Sequence, residues 1–308
     1  MKRRIAVLDL GTNTFHLLIA DMKGGRMEQK VAALTSAVKL GEGGITKGFI
    51  TGAAFDRGLE AMRYFRSVID EHGATEIYAA GTAALRSASN GADFIARVKQ
   101  EAGISIQIID GTREAELIYK GVRQGVALSD SALIMDIGGG SVEFIFCDQH
   151  EIFHKKSYPI GAARLMALFH KTDPISEADI SAIHQHLDEQ LADLKINAQI
   201  FKPGILIGSA GAFETFTQLI LKKRGTNDTT EQTSFHFNPD QLDVVISEVL
   251  RSTHQERAEN EAITPVRVDM IVVASVLTSY VIQELRIPAI AMSTYSLKEG
   301  LLFDRAGA

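Results

Sequence analysis

Asp9 and Asp136 each close an apolar run, and each is followed, after one apolar residue, by a turn rich in glycine and in hydroxyl or amide side chains. The first phrase is Ile5-Ala6-Val7-Leu8-Asp9-Leu10-Gly11-Thr12-Asn13-Thr14, and the second is Leu133-Ile134-Met135-Asp136-Ile137-Gly138-Gly139-Gly140-Ser141. Glycine leaves backbone N–H groups bare, so that an anion can approach them closely. Thr12, Asn13, Thr14 and Ser141 add side-chain donors. A carboxylate cannot itself take a phosphate, because at ~5 Å and an effective dielectric of ~20 the two charges repel by on the order of 3 kcal/mol. An aspartate beside a phosphate cradle therefore implies a divalent cation, and oxygen ligands suit Mg²⁺. Glu143 lies seven residues beyond Asp136 on the returning strand, where a hairpin folds it back toward the same ion. Asp9, Asp136 and Glu143 are thus the expected metal set. One such phrase alone reads as a glycine hairpin with its aspartate capping the turn. Two matched copies read as two related half-molecules with one ligand between them.

Other residues carry weaker signals. Arg86 sits in a polar turn after a strand and has the planar fork that suits phosphate oxygens. Glu114 falls in the first turn of a helix, where the dipole favours a charged carboxylate; from position alone it reads as a helix-stabilising residue. Lys222-Lys223-Arg224 before Gly225 reads as a basic helix end with a glycine stop, or as a grip for a polyanion. His184 and His186 are two apart on a helix, face different ways and make no metal pair. Cys147 is a lone structural thiol. A Walker Gly-Lys-Ser/Thr is absent, and the triple-glycine turn lacks the third glycine of a dinucleotide fingerprint.

The elements that must hold these residues alternate between strand and helix. A glycine-rich loop at 38–52 precedes a helix capped by Thr51 and stopped by Gly73, and Asn90 caps the next helix. Ile104 to Ile109 is an apolar strand, and Thr112 opens a helix to about Gln124. In the second half, Ser176 caps a long helix to about Leu194, and Ile205-Leu206-Ile207 is a strand ending in Gly208-Ser209-Ala210-Gly211. A strongly apolar helix runs from Val268 to Leu285, and a last strand and helix follow. This rhythm predicts an α/β protein with mixed, largely parallel sheets.

The chain has 308 residues, is 45% hydrophobic and carries a net charge of −6, enough to bury a large core in two domains. That charge gives no general attraction to nucleic acid or to an anionic membrane. A single cysteine excludes an internal disulfide framework and fits a reducing compartment, so a cytoplasmic location is expected. No segment approaches the ~20 apolar residues of a membrane span.

The Asp9-Leu10-Gly11-Thr12-Asn13 phrase, the Asp136 to Glu143 phrase and the Gly208 to Gly211 turn together resemble the actin/hexokinase/chaperone ATPase superfamily. Val38-Lys39-Leu40-Gly41-Glu42-Gly43, Gly81-Thr82-Ala83-Ala84-Leu85-Arg86 and Glu114-Ala115-Glu116-Leu117-Ile118-Tyr119 narrow the resemblance to the exopolyphosphatase/guanosine pentaphosphate phosphohydrolase family, in its short form. The resemblance implies two actin-like (ribonuclease H-like) domains around a central cleft. It places the first at residues 1–124, joined by the last helix at about 296–308, and the second at 125–295. It also implies Mg²⁺ dependence, a homodimer, and removal of terminal phosphate from inorganic polyphosphate or from guanosine pentaphosphate. By the same resemblance Glu114 is the general base and Glu143 a second catalytic carboxylate. Gly11, Thr12, Asn13, Arg86, Gly138, Gly139, Gly140, Ser141, Gly208, Ser209 and Gly211 would hold phosphate. Lys39 stands where the family usually has arginine, and Val142 where threonine is common. Two rival readings are a small-molecule kinase of the same superfamily and a non-catalytic polyphosphate or alarmone sensor.

Overall fold

The computed structural model describes residues 2–128, 131–209, 211–226 and 232–307. The chain opens with β1 (Arg3–Leu10), β2 (Phe15–Lys23) and β3 (Arg26–Ser36), then α1 (Gly52–Glu71), β4 (Glu76–Gly81), α2 (Ala83–Ser87), α3 (Gly91–Ala102), β5 (Ile106–Ile108) and α4 (Gly111–Gly125). It continues with β6 (Ala132–Ile137), β7 (Val142–Cys147), β8 (Ile152–Tyr158), α5 (Ala162–Phe169), α6 (Glu177–Gln190), α7 (Ala192–Phe201), β9 (Ile205–Ser209) and α8 (Gly211–Lys223). The last elements are β10 (Ser234–His236), α9 (Pro239–Arg251), α10 (His254–Ala258), α11 (Met270–Leu285), β11 (Ala289–Ser293) and α12 (Leu297–Ala306).

Two compact units result. The first comprises Met1–Gly121, Gly138–Gly140 and Ser296–Ala308, and the second comprises Val122–Ile137 and Ser141–Tyr295. The sheet of the first runs in the order β3-β2-β1-β4-β5. Its first three strands are an antiparallel meander, and β4 and β5 join parallel to β1. The sheet of the second runs β10-β11-β9-β6-β7-β8. Here β6, β7 and β8 form the meander, β9 and β11 add in parallel, and β10 is an antiparallel addition at the edge. Leaving β10 aside, the two orders are the same, so the repeated phrase of the sequence is the first hairpin of two units with one topology. This is the actin-like, two-sheet α/β architecture.

Burial follows strand position. In β1, Ile5 to Leu8 are fully buried, because a central strand is covered on both faces. β3 is an edge strand with no buried residue, and it shifts register against β2 between Ile19 and Ala20 and again between Asp21 and Met22. In the second unit α11 is buried over most of its length, from Ile271 through Val281, and packs into one core with β6, β7 and α8.

Several element ends differ from the sequence reading. Thr51 stands at the cap position of α1, but its hydroxyl donates to Glu42 O instead of capping. The Asn90 amide likewise leaves α3 uncapped and clasps Ile50, accepting from its N–H at 2.8 Å and donating to its carbonyl at 2.9 Å. At α4 the cap is Asp110, whose Oδ1 accepts from Arg113 N–H at 2.7 Å; Thr112 is already inside the helix. The predicted helix from Ser176 is two helices, broken at Leu191. No glycine or proline marks that break; Leu191 is buried, and its backbone leaves the helical region. The Ser176 cap itself forms, accepting from Asp179 N–H.

Candidate functional site

The first glycine turn joins β1 to β2. Gly11 N–H donates to Thr14 O at 3.0 Å, and a Cβ on Gly11 would lie 2.8 Å from that same oxygen, so only glycine fits the closing residue of this turn. The loop at 38–41 then fixes the turn from outside. Lys39 N–H donates to Asn13 O at 2.7 Å and Gly41 N–H to Thr12 O at 3.0 Å. To do this Lys39 takes a left-handed backbone (φ 49°), an unfavourable state for a residue with a Cβ. Arg57 supports the loop, its Nε donating to Val38 O at 2.8 Å and its Nη2 to Glu42 Oε2 at 2.7 Å.

Gly138, Gly139 and Gly140 pack within the same unit. A Cβ on Gly139 would come 2.5 Å from Asn13 Nδ2, and one on Gly140 would come 2.9 Å from Thr12 Oγ1 and 2.7 Å from Ala83 Cβ. The two glycine turns are therefore in contact, with Thr12 and Asn13 against Gly139 and Gly140. Close approach is what the glycines provide here, and it concentrates N–H donors as a phosphate cradle requires.

In the second unit, strand register lines up four polar residues across four strands. Asp136 pairs with Ser209 on β9 and with Glu143 on β7, and Glu143 pairs with Ser157 on β8. Ser209 Oγ donates to Asp136 Oδ2 at 2.7 Å, and Ser157 Oγ donates to Glu143 Oε1 at 2.6 Å. Glu143 is buried, at 1% exposure, so its hydroxyl partner offsets part of the cost of desolvating a carboxylate. Two adjacent carboxylates with an outer serine on each present acceptor oxygens of the kind Mg²⁺ takes. Mg²⁺ commonly uses one or two carboxylates and fills its other positions with water and substrate phosphate. Among the described residues no group of three or more His, Cys, Asp or Glu side chains is gathered as a metal site. Asp9, at the corresponding point of β1, belongs to the first unit.

Glu114 and Arg86 meet in the first unit. Arg86 Nη1 donates to Glu114 Oε2 at 2.9 Å and to Ile109 O at 2.8 Å. Glu114 is 7% exposed, in the first turn of α4, and the guanidinium supplies the counter-charge that a buried carboxylate needs. Both bonds of Arg86 use one terminal nitrogen, which leaves the rest of its fork directed elsewhere. The sequence singled out both residues and gave no sign that they pair.

The remaining expected residues fall as follows. Ser141 is buried at 4% exposure. Gly208 has a packing role, since a Cβ there would sit 2.0 Å from the ring of the fully buried Phe213. Ser209 directs its hydroxyl to Asp136, and Gly211 takes a left-handed backbone (φ 52°) at the start of α8; Ala210 lies outside the described residues. Lys222 and Lys223 reach along the surface to Asn260 Oδ1 and Glu248 Oε1, and Arg224 lies over the Phe235 ring. Cys147 is buried, which pushes its thiol up to about 12 and makes it a poor nucleophile. Sequence reasoning missed Ser157, Arg57 and His16, whose place is set by strand register or loop contact and not by any local motif.

No helix among the described residues is long and apolar enough to cross a membrane. The chain is similar over 98% of its length to "Exopolyphosphatase 1" of Mycobacterium leprae, at 28% identity and covering 89% of that protein. It is similar to "Exopolyphosphatase 1" of Mycobacterium tuberculosis at 27% identity, over 98% of this chain and 88% of that one. Among solved structures, the crystal structure of an exopolyphosphatase from Cytophaga hutchinsonii matches with a TM-score of 0.96 and 42% identity, covering 99% of this chain and 98% of the other. The Ppx/GppA enzyme of Aquifex aeolicus shares the fold, with a TM-score of 0.81 at 22% identity, covering 99% of this chain and 100% of the other. The family model for the Ppx/GppA phosphatases matches residues 18–308, and the chain belongs to the Ppx/GppA phosphatase family.

Proposed function

We propose that this chain is an exopolyphosphatase that removes the terminal phosphate of inorganic polyphosphate and also accepts guanosine pentaphosphate. The observation that carries the reading is the buried Glu114 at the start of α4, paired with the half-buried Arg86 of α2, in a member of a phosphatase family. Glu114 accepts a proton from water, whose oxygen attacks the terminal phosphorus as the bond to the bridging oxygen breaks. Arg86 holds Glu114 in place and offers the free side of its fork to a phosphate oxygen. Backbone N–H groups of the two glycine turns, with Thr12, Asn13 and Ser141, hold the phosphate chain in line. Positioning and charge neutralisation supply most of the rate enhancement in phosphoryl transfer.

Asp136 and Glu143 would hold Mg²⁺ in the second unit, with Asp9 as the matching carboxylate of the first. Bound there, the ion would neutralise charge that develops on phosphate oxygens. The chain is proposed to act in the cytoplasm as a homodimer, which light scattering at working concentration checks.

The deciding assay measures phosphate release from long polyphosphate, guanosine pentaphosphate and ATP, each with Mg²⁺ and with EDTA. Release from polyphosphate without any acceptor, abolished by EDTA and restored by Mg²⁺, is the expected result. Absence of release from both polyphosphate and guanosine pentaphosphate would leave binding alone and sink the proposal. ATP turnover that rises steeply with an added sugar or small acid would transfer the assignment to a kinase.

A further inference from the structure

The two hairpins correspond residue by residue beyond the repeated phrase. His16 lies seven residues after Asp9, as Glu143 lies seven after Asp136. In the first unit Asp9 pairs with His16 across β1 and β2, and His16 pairs with Thr35 on β3. In the second, Asp136 pairs with Glu143 and Glu143 with Ser157. The outer hydroxyl bonds the middle residue in both rows, Thr35 Oγ1 to His16 Nδ1 at 3.0 Å and Ser157 Oγ to Glu143 Oε1 at 2.6 Å. One position has diverged: an imidazole stands where the other unit has a carboxylate.

That exchange changes what the position can do. A carboxylate only accepts hydrogen bonds, whereas a neutral imidazole donates from one nitrogen and accepts at the other. The second nitrogen of His16 is used: Nε2 lies 2.9 Å from Thr14 Oγ1, in the first glycine turn. When Thr35 donates to Nδ1, the ring proton is on Nε2 and is given to Thr14 Oγ1. The Thr14 hydroxyl hydrogen is then available for a third group. Thr14 is half-buried, so its hydroxyl can meet a ligand in the turn. The opposite sense would turn the Thr14 hydrogen inward onto His16 and present only lone pairs, which repel a phosphate oxygen.

We infer that His16, oriented by Thr35, is a positioning residue that turns the Thr14 hydroxyl outward as a donor to a substrate phosphate oxygen. This rests on the phosphatase reading above. It adds a relay, Thr35 to His16 to Thr14, to the turn's backbone donors.

Steady-state phosphate release from polyphosphate, with thermal unfolding of each protein alongside, tests the relay in the full chain. His16→Ala and Thr14→Val should each raise KM about tenfold, the loss of one hydrogen bond to a charged group, with kcat much less affected. The double variant should be no worse than either single one. His16→Gln, which can still donate to Thr14, should keep KM near the parent value. Thr35→Val should raise KM less than His16→Ala, because the ring stays while its sense is released. A lower unfolding temperature with unchanged KM in His16→Ala would show a structural role and overturn the inference. If His16→Ala does not fold, unchanged KM in Thr35→Val overturns it instead. Should the parent protein release no phosphate, the functional reading fails, and calorimetric binding of inorganic tripolyphosphate decides the relay separately. About tenfold weaker binding by His16→Ala would then support it, and equal binding would end it.

Discussion

Glu114 is worth most at the scale of single residues, because both its burial and its Arg86 partner are defined. Glu114→Gln keeps the shape and removes the proton acceptor, so kcat should fall by ~10²–10⁴ while polyphosphate binding is retained. A folded Glu114→Gln protein with parent-like turnover would move the base role to Glu143. Arg86→Ala should act differently: it strands a buried carboxylate and should cost on the order of 3 kcal/mol in chemical unfolding. Arg86→Ala combined with Glu114→Gln should recover much of that loss, since no unpaired charge remains. The sequence made half of this legible. Asp9 and Asp136 stood out because the repeat marks them, and Glu143 because it lies seven residues beyond Asp136 on the returning strand. From position alone Glu114 could not be told from a first-turn helix residue, because Arg86 is 28 residues away and reaches it only through the fold. Ser157 and Ser209 were hidden, or differently assigned, for the same reason: neighbours across strands are set by register, which no local pattern displays.

Elements place these residues by close packing at glycines. α4 carries Glu114, and α12 lies against it: a Cβ on Gly300 would come 1.7 Å from Leu117 O, and one on Gly121 would come 2.2 Å from Ser296 O. Asp304 of α12 also takes ion pairs from Arg113 and Lys120 of α4, both at 2.6 Å. Gly300→Ala should therefore push the two helices apart, lowering stability by ~1–3 kcal/mol and reducing turnover through displacement of Glu114. Calorimetry and phosphate release on the same preparation check this; loss of stability without loss of rate would uncouple α12 from the site. Helix existence was readable from apolar periodicity, but helix ends were read less well. Side chains with cap chemistry, Thr51 and Asn90, turned to loop carbonyls and amides that no sequence pattern announces.

The whole molecule was legible through its duplication: one phrase written twice became two sheets of one strand order. Its response to acid follows from ion pairs in which partly exposed cations hold a buried carboxylate. Arg4 and Lys2 bond Asp21, which is 1% exposed, and hold its carboxyl well below the usual carboxylate range. A depressed folded value means stability that is complete above the unfolded value of about 4 and is lost as pH falls below it. Asp21→Asn should therefore be less stable than the parent at neutral pH, with the gap closing in acid. A gap that stays constant from neutral pH to pH ~2 would remove Asp21 from the account. The register shifts of β3 have a consequence for behaviour in concentrated solution. β3 is the free edge of its sheet, eleven residues long, and its unpaired backbone groups could template a neighbouring molecule. The shifts leave Val31 and Glu28 without partners on β2 and twist the edge away from flatness. Deleting both Val31 and Glu28 would straighten that edge, and the purified protein should then form sheet-rich aggregates on standing at concentrations where the parent stays clear.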